Sequence, residues 1–528
     1  MHGESESGIL FTVMRFFNTT GPCFPERHYM LPPEERLVGA QLHRYVRDQL
    51  YWTLHAPRQT GKTTFLMSWA RELNASRNFA ACCVSVERCQ GIAEAARAMP
   101  EIKEAVFKWA RYFGFPEPTP RAESPSSLLS SVMETFAQMV APKPLVVFFD
   151  EVDVLEGETL ISFLRQLRDG FAGRGVGAFP VSIVLTGMRD LKGYITQAKD
   201  GVRVNPGSPF NIKEDSASID NFSKDNIVHL FAQRTEETGQ QIAPEALEYV
   251  WKQSHGQPWI VNNLFKRATM RVLDENDFAT VQLAHVQAAR DQMVEARETH
   301  LDALEYRLDD PAIRRVIATF INGEPDASLL DTEGFRLAQD LGLVARINNA
   351  WTVANPIYRE VLARKLTYAA QETIYGEFRW QAPDGSLDMD SLLLEFQKFW
   401  RRNSEIWEQK SDYTEVFPQL LLMAFLQRLL NGGGHIDREY ALGRGRLDLL
   451  VEYRGAEFLL ELKIMRDYDS PAVLLEESLE QTRRYRDGID ATIPAYLLIF
   501  DRRSDGKKAP WDERLTWCEI DGITVVGL

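Results

Sequence analysis

One short segment, residues 53–64, limits what this chain can fold into more than any other. It contains Thr-Leu-His-Ala-Pro-Arg-Gln-Thr-Gly-Lys-Thr-Thr, the pattern of a strand end, a tight turn and a helix start. Gly61, Lys62 and Thr63 match the end of the G-x-x-x-x-G-K-[ST] phosphate-binding loop, whose first glycine is replaced by Ala56. Because successive backbone N–H groups at a helix N-terminus can wrap an anionic phosphate, the segment predicts a nucleotide site in an α/β fold.

The residue types at the end of this loop each have a chemical role. Gly61 has no Cβ, so the backbone can approach a ligand closely. Lys62 would reach the β- and γ-phosphates of ATP, and the Thr63 hydroxyl would hold Mg²⁺. The alternative is a chance Gly-Lys-Thr triplet before a helix. The predicted nucleotide-binding residues of the loop are Ala56, Pro57, Arg58, Gln59, Thr60, Gly61, Lys62, Thr63 and Thr64.

A second segment supports the same prediction. Residues 144–151 form an apolar run that ends in two acids, Asp150 and Glu151. Such a run is typical of a buried parallel strand, and acids at its carboxyl end would lie at the ligand crevice of an open α/β sheet. Asp150 would hold Mg²⁺ together with Thr63, and Glu151 would activate the attacking water as a catalytic base. An N-cap acid after a core strand is the alternative.

The chain between these two motifs contains another apolar, strand-like run at residues 80–86. An intervening strand is typical of the additional-strand class of P-loop proteins, which includes the AAA+ proteins. A further buried strand is predicted at residues 181–186. Its polar end, Thr186, and the following Arg189 could sense a γ-phosphate, or they could be a cap and a surface charge.

Residues 220–274 predict amphipathic helices that are interrupted by His255-Gly256-Gln257-Pro258-Trp259. A Gly-x-Pro turn within a helical lid, together with an Ala-Pro-Arg-Gln-Thr-Gly-Lys-Thr-Thr loop, resembles the STAND branch of AAA+ NTPases in its bacterial and archaeal form. The resemblance covers residues 15–275. It implies that Pro258 contacts the bound nucleotide.

Residues 341–353 predict two short strands around an Asn348-Asn349 turn, followed by a helix start at Pro356. Together with the short helices predicted before it, the segment from residue 311 to residue 366 resembles a winged helix. Such a module could touch DNA, or it could serve as an interaction or autoinhibitory module. The weakly basic wing favours the second role.

The C-terminal third contains a second group of functional residue types. Residues 446–451 and 457–464 predict a β-hairpin with a turn at Arg454-Gly455. Glu461 and Lys463 lie two apart and therefore share one face of their strand. With the right register Asp448 joins them, so that two carboxylates and an ammonium group converge.

Metal-dependent nuclease chemistry needs such a set. The carboxylates of Asp448 and Glu461 would hold Mg²⁺, with the backbone carbonyl of Leu462 as a further oxygen ligand. Lys463 would position or deprotonate the attacking water, or neutralise charge on the scissile phosphate. The spacing D-x12-E-x-K resembles the PD-(D/E)xK nuclease superfamily, although the proline of that name is absent beside Asp448.

Further residues carry the same resemblance. The Gly-Arg-Gly-Arg segment at residues 443–446 resembles the Gly-Arg-x-Asp entry of these folds. Gln481 and Tyr485 are four apart on the next predicted helix, as in the Gln-x3-Tyr element of recombination nucleases, and they join the predicted catalytic set. In the family an acid on the first helix often joins the metal shell, and Glu415 is the candidate here. A surface Glu–Lys pair and a nuclease fold retained only for binding are the alternatives.

Composition limits the class of protein further. The chain has 528 residues, and 45% of them are hydrophobic and 26% charged, as in a globular protein. No apolar run reaches the roughly 20 residues that span a bilayer, so we expect no membrane partner. Five cysteines without C-x-x-C spacing favour reduced thiols and a cytoplasmic location. A net charge of −15 does not favour non-specific nucleic-acid binding, which would have to depend on local arginine clusters.

We therefore expect an α/β multidomain protein with a P-loop parallel sheet, a helical lid, a winged helix and a PD-(D/E)xK-type α/β nuclease domain. The expected boundaries are 1–33 for an N-terminal leader, 34–212 for the P-loop core, 213–300 for the lid, 301–370 for the winged helix, 371–390 for a linker and 391–528 for the nuclease-like domain. The leader would cover the adenine base or pack as an N-terminal arm.

The functional hypothesis is an ATPase that uses Mg²⁺ and controls a C-terminal nuclease. Mn²⁺ is the alternative metal at the nuclease site. The expected substrate is nucleic acid, with DNA preferred over RNA, and nucleotide binding is expected to drive homo-oligomerisation. Analogy with similar architectures suggests defence against foreign DNA. The alternatives are an ATP-dependent switch whose C-terminal domain binds without cutting, and a DNA-remodelling ATPase with an accessory nuclease.

Overall fold

The computed structural model describes residues 14–528 apart from 38, 175–176, 189–212, 296–298, 322–326, 372–379, 381, 383, 411–421, 423–424, 427–433, 443–444, 466–468, 502 and 504–514. The chain divides into two compact units. Unit 1 consists of Met1–Asp302 and Phe335–Arg359, and unit 2 consists of Ala303–Gly334 and Glu360–Leu528.

The first part of unit 1 alternates strands with helices. The strands are β1 Tyr51–His55, β2 Ala80–Ser85, β3 Leu145–Asp150, β4 Ser182–Gly187 and β5 Lys213–Ser218. The helices are α1 Gly39–Arg47, α2 Lys62–Ala75, α3 Ala95–Tyr112, α4 Leu128–Val140 and α5 Gly157–Gly173.

The five strands form one sheet in the order β2-β3-β4-β1-β5, and every neighbouring pair is parallel. In this order β4 lies between β1, which leads into the Gly-Lys-Thr loop, and β3, which ends at Asp150, whereas β2, the strand that intervenes in the sequence, lies at the edge of the sheet. Because parallel strands end at the same edge, His55, Asp150 and Gly187 all lie at the carboxyl edge of the sheet. The predicted P-loop α/β sheet is confirmed. The pattern did not predict β5, because its sequence Lys-Glu-Asp-Ser-Ala-Ser is almost wholly polar.

The apolar strands are buried on both faces. On one face Trp52, Trp69 and Phe148 pack together, with 4.8 Å between the ring centroids of Trp69 and Phe148. On the other face Phe149 and Phe163 pack edge to face with 5.0 Å between centroids. Burial of a side chain of this size stabilises a fold by about 1.5–3 kcal/mol. The sheet is therefore a well-packed base for the residues at its carboxyl edge.

The remaining helices that the structure describes include the ones predicted within residues 220–274. They are α6 Lys224–Thr238, α7 Pro244–Ser254, α8 Pro258–Arg267, α9 Leu283–Glu295, α10 Thr299–Arg307, α11 Pro311–Ile321, α12 Glu333–Asp340, α13 Pro356–Gln371, α14 Met389–Lys410 and α15 Pro471–Ile489. Helix α8 continues into one π-helical stretch, Ala268–Val272.

The segment at residues 34–49, which precedes β1, is helical only in its second half. The chain forms a 3₁₀ turn at Pro33–Glu35, and α1 begins only at Gly39. Glu35 and Arg36 contact the residues around α6, and these tertiary contacts override the local helix propensity.

Helices α7 and α8, in the segment predicted to form the lid, are joined by a tight turn at residues 255–257. The N–H of Phe222 donates to the carbonyl of Gly256 at 2.8 Å. Gly256 has a φ of +73°, and a Cβ built on it would lie 1.9 Å from the carbonyl oxygen of Phe222. Only glycine fits this position, because the adjacent atoms are backbone atoms that cannot rotate away.

Two short strands, β6 Val344–Ile347 and β7 Ala350–Val353, form the predicted hairpin. Asn348 and Asn349 connect them with φ angles of 49° and 67°. Positive φ at both central residues is the requirement of a type I′ turn, and asparagine tolerates it. The hairpin is therefore as predicted, while the assignment of the whole segment to a winged helix stays a prediction.

Unit 2 contains a six-stranded mixed sheet in the order β12-β13-β11-β10-β9-β8. Its strands are β8 Gly434–Leu442, β9 Gly445–Tyr453, β10 Ala456–Met465, β11 Ala495–Asp501, β12 Trp517–Ile520 and β13 Ile523–Gly527. β9 and β10 pair antiparallel through the predicted Arg454-Gly455 turn, and β10 and β11 pair parallel, with α15 as their connection. Within the described part of the chain, no helix has the length and apolar character that a membrane span requires.

Substitution of Gly256 by alanine is expected to destabilise the protein by about 2–4 kcal/mol, because the added methyl group forces the turn away from Phe222. Chemical denaturation of the variant followed by circular dichroism measures the loss. Gly239→Ala is the matched control: Gly239 also has a positive φ, but its Cβ would meet no atom within 4 Å. A loss at Gly256 no larger than the roughly 1 kcal/mol expected for Gly239 would contradict the steric argument.

Candidate functional site

The Gly-Lys-Thr loop connects the carboxyl end of β1 to the start of α2. Gly61 has a φ of +88°, and the helix begins at the next residue, Lys62. The Lys62 ammonium group donates to the carbonyl of Ala56 at 2.7 Å and to the carbonyl of Pro57 at 2.8 Å. The loop thus closes on itself around the lysine at the N-terminus of α2. This is the arrangement that presents N–H groups to a phosphate.

Two further contacts of the loop involve Pro57. The Thr60 hydroxyl donates to the carbonyl of Pro57 at 2.8 Å. Gly342, just before β6, has a φ of +72°, and a Cβ there would lie 2.6 Å from the Cβ of Pro57. The backbone of the segment before β6 therefore packs closely on the loop.

Asp150 lies where the sequence predicted it, at the end of β3 and beside the loop. Its carboxylate accepts a hydrogen bond of 2.5 Å from the Thr63 hydroxyl, although the two residues are 87 positions apart in sequence. The side chain is 1% exposed. Burial raises the pKa of Asp150, and the Thr63 hydrogen bond and the Lys62 charge oppose that rise. Two oxygen ligands of the kind that Mg²⁺ binds are thus in contact.

Glu151 follows with an unusual backbone conformation. Its φ is +61°, which is uncommon for a residue other than glycine or asparagine. Its carboxylate accepts a 2.6 Å hydrogen bond from the hydroxyl of Ser85 at the end of β2. Burial raises the pKa of Glu151 above its ordinary value, while the Ser85 hydrogen bond lowers it. Sequence reasoning missed Ser85; its position as the last polar residue of an apolar strand was the available signal.

Thr186 lies at the carboxyl end of β4, between β1 and β3. In the strand register it pairs with Leu54 of β1, so it is adjacent to the residues that lead into the loop. Its side chain is fully buried, and among the described residues its hydroxyl has no hydrogen-bond partner. A hydroxyl in this condition is suited to a ligand, since an unsatisfied buried polar group costs free energy. Arg189 lies outside the described residues.

The N-terminal arm lies against both α2 and α8. The N–H of Cys23 donates to the hydroxyl of Thr64 at 2.9 Å, and the Trp259 indole N–H donates to the carbonyl of Thr19 at 3.0 Å. Pro258 is the first residue of α8, where its fixed φ is favourable and its missing N–H has no cost. The arm thus brings Thr64 and the Pro258-Trp259 pair into one neighbourhood, which fits both a packed arm and a cover for a base.

A buried histidine, His300, packs on Trp259. His300 Nε2 is 2.7 Å from the Tyr358 hydroxyl, and the His300 ring packs on Trp259 with 4.7 Å between centroids. His300 is 6% exposed. Burial lowers its pKa to about 4, and the positive charge of Arg58 in the phosphate loop adds to the effect. His300 is therefore neutral at neutral pH, and sequence reasoning did not single it out.

The second predicted site lies on the β9–β10 hairpin of unit 2. Glu461 is 1% exposed, and its carboxylate is 2.8 Å from the Lys463 ammonium group. The register pairs Leu460 with Leu449, so the next residues along the two strands are Glu461 and Asp448. On α15, the Gln481 amide donates to the Tyr485 hydroxyl at 2.9 Å.

Parts of this second set lie outside the described residues. The backbone of Asp448 belongs to β9, while its side chain and Glu415 lie outside the described part of the chain. Leu462 follows Glu461 within β10, with its side chain buried. Among the described residues, no three His, Cys, Asp or Glu side chains are close enough together to hold a metal ion. The structure thus brings together Glu461 with Lys463 and Gln481 with Tyr485.

Neither protein-family models nor curated proteins gave a match to this chain. Solved structures similar to it include the Walker-type ATPase PABY2304 of Pyrococcus abyssi, at 15% identity and a TM-score of 0.45, covering 66% of this chain and 99% of that one. The Holliday junction branch migration motor RuvB of Thermotoga maritima has 16% identity and a TM-score of 0.34, over 61% of this chain and 93% of RuvB. Cdc6p of Pyrobaculum aerophilum has 14% identity and a TM-score of 0.34, over 63% and 93%.

His300 predicts a measurable pH dependence of stability. Its folded pKa of about 4 is below the ordinary value of 6.5, so the unfolded chain binds the proton more tightly. The stabilisation is complete above pH 6.5 and is lost as the pH falls toward 4, by up to about 1.4 kcal/mol per pH unit. Urea denaturation of wild type and His300→Gln between pH 4.5 and 7 should show their difference in unfolding free energy shrinking at low pH.

The control for this experiment is His43→Gln, since the His43 side chain is 58% exposed. That substitution at an exposed position is expected to change the unfolding free energy at pH 7 by no more than about 0.5 kcal/mol. A difference between wild type and His300→Gln that does not change with pH would show that His300 titrates normally in the folded protein.

Proposed function

We propose that this protein is an AAA+/STAND-like ATPase whose C-terminal domain is a metal-dependent nuclease acting on nucleic acid, preferentially DNA, under the control of the bound nucleotide. The hydrogen bond between Thr63 and Asp150 carries the ATPase part of the proposal. It joins the end of a Gly-Lys-Thr loop to an acid at the end of a different, buried strand. A chance triplet before a helix does not require this partner.

Phosphate binding depends on backbone and lysine together. The N–H groups that follow Gly61 have no carbonyl partner within α2, because the first N–H groups of a helix never do. The Lys62 ammonium group, which now lies on the carbonyls of Ala56 and Pro57, would turn to the β- and γ-phosphates of ATP. Burial lowers the pKa of Lys62, while Asp150 opposes that change, so the ammonium group gains from an anionic partner.

Mg²⁺ fits the residues that are present. The Thr63 hydroxyl and the Asp150 carboxylate supply hard oxygen ligands, and they already touch each other. We propose that these two residues hold the ion, Asp150 in part through water. When bound, Mg²⁺ supplies charge neutralisation between the β- and γ-phosphates.

Glu151 is the proposed general base. A carboxylate with a raised pKa holds a proton more tightly, which favours its accepting one from water. The Ser85 hydroxyl now occupies one of its oxygens, so Glu151 must release this hydrogen bond, or share it, when it contacts water. Thr186, with its buried hydroxyl and its place between β1 and β3, is the proposed contact for the γ-phosphate. The nucleotide-facing role of Pro258 in the lid rests on the STAND-like turn.

The nuclease part of the proposal rests on the β9–β10 register. Residues directly opposite each other in an antiparallel pair share a face, and continuing the pairing by one residue sets Asp448 opposite Glu461. Lys463 is on the same face as Glu461, two residues on. We propose that Asp448, Glu461 and the Leu462 carbonyl hold Mg²⁺ or Mn²⁺, with Glu415 as the additional acid. Lys463 would stabilise charge on the scissile phosphate, and Gln481 and Tyr485 would orient the substrate.

Replacement of Lys62 by alanine is expected to weaken ATP binding about 10- to 100-fold, because a charge-assisted contact to the phosphates is lost. Titration calorimetry with ATP and Mg²⁺ measures this directly.

Glu151→Gln should bind ATP normally and lose hydrolysis by about 10²-fold or more, as measured by phosphate release. Lys143→Ala, an exposed lysine at the opposite end of β3, is the control. Wild-type protein that binds no ATP would remove the ATPase proposal.

Replacement of Glu461 by glutamine is expected to abolish cleavage of supercoiled plasmid in Mg²⁺ or Mn²⁺, because the substitution removes the charge that holds the metal and keeps the side-chain volume. Glu457→Gln is the matched control, since Glu457 lies on the same strand and is exposed. Each reaction is run with and without ATP, and with single-stranded RNA as a second substrate. If wild type cuts neither DNA nor RNA in any condition, the ATP-dependent switch that binds without cutting replaces the nuclease.

A further inference from the structure

Arg36 contacts the backbone of the phosphate loop and belongs to none of the motifs described above. It follows the 3₁₀ turn at Pro33–Glu35. Its guanidinium group donates from Nη2 to the carbonyl oxygen of Thr60 at 2.8 Å. The same group lies 4.6 Å from the centroid of the Phe222 ring, at the entrance to the lid. One side chain thus touches both the phosphate loop and the chain segment that leads into the lid helices.

The carbonyl oxygen that Arg36 contacts belongs to the peptide group between Thr60 and Gly61. A peptide group is planar and trans, so its C=O and its N–H point in opposite directions. The carbonyl of Thr60 and the N–H of Gly61 belong to the same peptide group. A guanidinium group that holds the Thr60 oxygen therefore fixes the direction of the Gly61 N–H, which points the opposite way, toward the proposed phosphate site.

A second contact holds the carbonyl of the preceding peptide group. The side-chain amide of Gln257, in the lid turn, donates to the carbonyl of Gln59 at 3.4 Å. By the same geometry, this contact fixes the direction of the Thr60 N–H. Two successive peptide groups of the loop are thus held, one by Arg36 and the other by a residue of the lid.

The two supports are joined to each other through the lid entrance. The N–H of Phe222 donates to the carbonyl of Gly256, the residue before Gln257. The side chain of Asn221 donates to the carbonyl of His255 at 3.2 Å. Because Phe222 packs on Arg36, a movement of the lid turn shifts both contacts to the loop together.

Charge keeps Arg36 in its place. Burial lowers the pKa of Arg36 to about 10, and the carboxylate of Asp220 opposes this change, so the guanidinium group stays protonated at neutral pH. The adjacent Glu35 is also tied to the lid: the Asn226 amide donates to it at 3.1 Å, and His229 Nδ1 lies 2.8 Å from its carboxylate. The segment at residues 35–36 is therefore anchored on α6.

We infer that Arg36 is a positioning residue that fixes the Thr60–Gly61 peptide with its N–H toward the phosphate site, and that it links this orientation to the position of the lid. The inference rests on the proposed nucleotide function. Arg36 acts through the backbone of the loop and needs no contact with the ligand. A cation is suited to the task because hydrogen bonds from charged donors are stronger than those between neutral groups.

The test compares full-length wild type with Arg36→Met, Arg36→Lys and the control Arg44→Met. Arg44 is exposed on α1 and paired only with Asp48 among the described residues. Calorimetry with ADP should show Arg36→Met weakened about tenfold, Arg36→Lys within about threefold of wild type, and Arg44→Met unchanged. Hydrogen–deuterium exchange without nucleotide should be faster in Arg36→Met for the peptide that covers residues 56–64. A general structural role would not confine the change to that peptide.

The outcomes separate the inference from the function on which it rests. Wild type that binds neither ADP nor ATP removes the nucleotide function, while the exchange measurement still tests the orientation of the loop. Wild type that binds ADP, with Arg36→Met within twofold of it or with unchanged exchange over residues 56–64, overturns the inference. If Arg36→Met does not fold, Phe222→Leu takes its place. Loss of the aromatic ring should weaken ADP binding about threefold, and unchanged affinity and exchange would overturn the inference.

Discussion

The buried carboxylate of Asp150 is the constraint on which the described unit 1 site depends. A charge that is 1% exposed is costly unless hydrogen bonds and an opposite charge compensate it. The Thr63 hydroxyl, the Glu151 backbone N–H and the Lys62 charge supply that compensation. Lys62 and Thr63 lie at the start of α2, and Glu151 follows β3, so the phosphate loop, α2 and the end of β3 must come together for the fold to tolerate the acid.

The sequence predicted those parts of the site whose signal is local. Gly61 marks the left-handed turn, the apolar run before Asp150 marks a buried strand, and both lie where expected. Ser85 and Arg36 could not be predicted in the same way. Their roles arise from contacts with residues that are distant in sequence, Glu151 for Ser85 and Thr60 for Arg36. A single serine or arginine in a sequence does not indicate which residue it will contact. β5 was missed for a related reason, because its polar sequence takes its strand form from pairing with β1.

The second site shows how turn chemistry makes a register predictable. Arg454 and Gly455 have φ angles of 50° and 84°, which a two-residue hairpin turn of type I′ requires. A two-residue turn leaves one pairing of the strands, and a slip by one residue would move Glu461 and Lys463 to the other face. The alternation of the sequence and the turn thus agree. The predicted contribution of Glu415 cannot be placed this way, since no local turn sets a helix against a sheet.

Phosphate binding by the loop needs two things: groups that can bind a phosphate, and contacts that orient those groups. The Gly-Lys-Thr letters determine which groups can bind a phosphate, but the direction of each N–H depends on what holds the carbonyl on the other side of its peptide. At Gln59 and Thr60 those holders are Gln257 and Arg36, and both connect to the lid. In the inference proposed for Arg36, the position of the predicted lid and the affinity for phosphate are one coupled property. A ligand that orders the loop must also favour one lid position, because a ligand shifts an equilibrium only through the state it binds better.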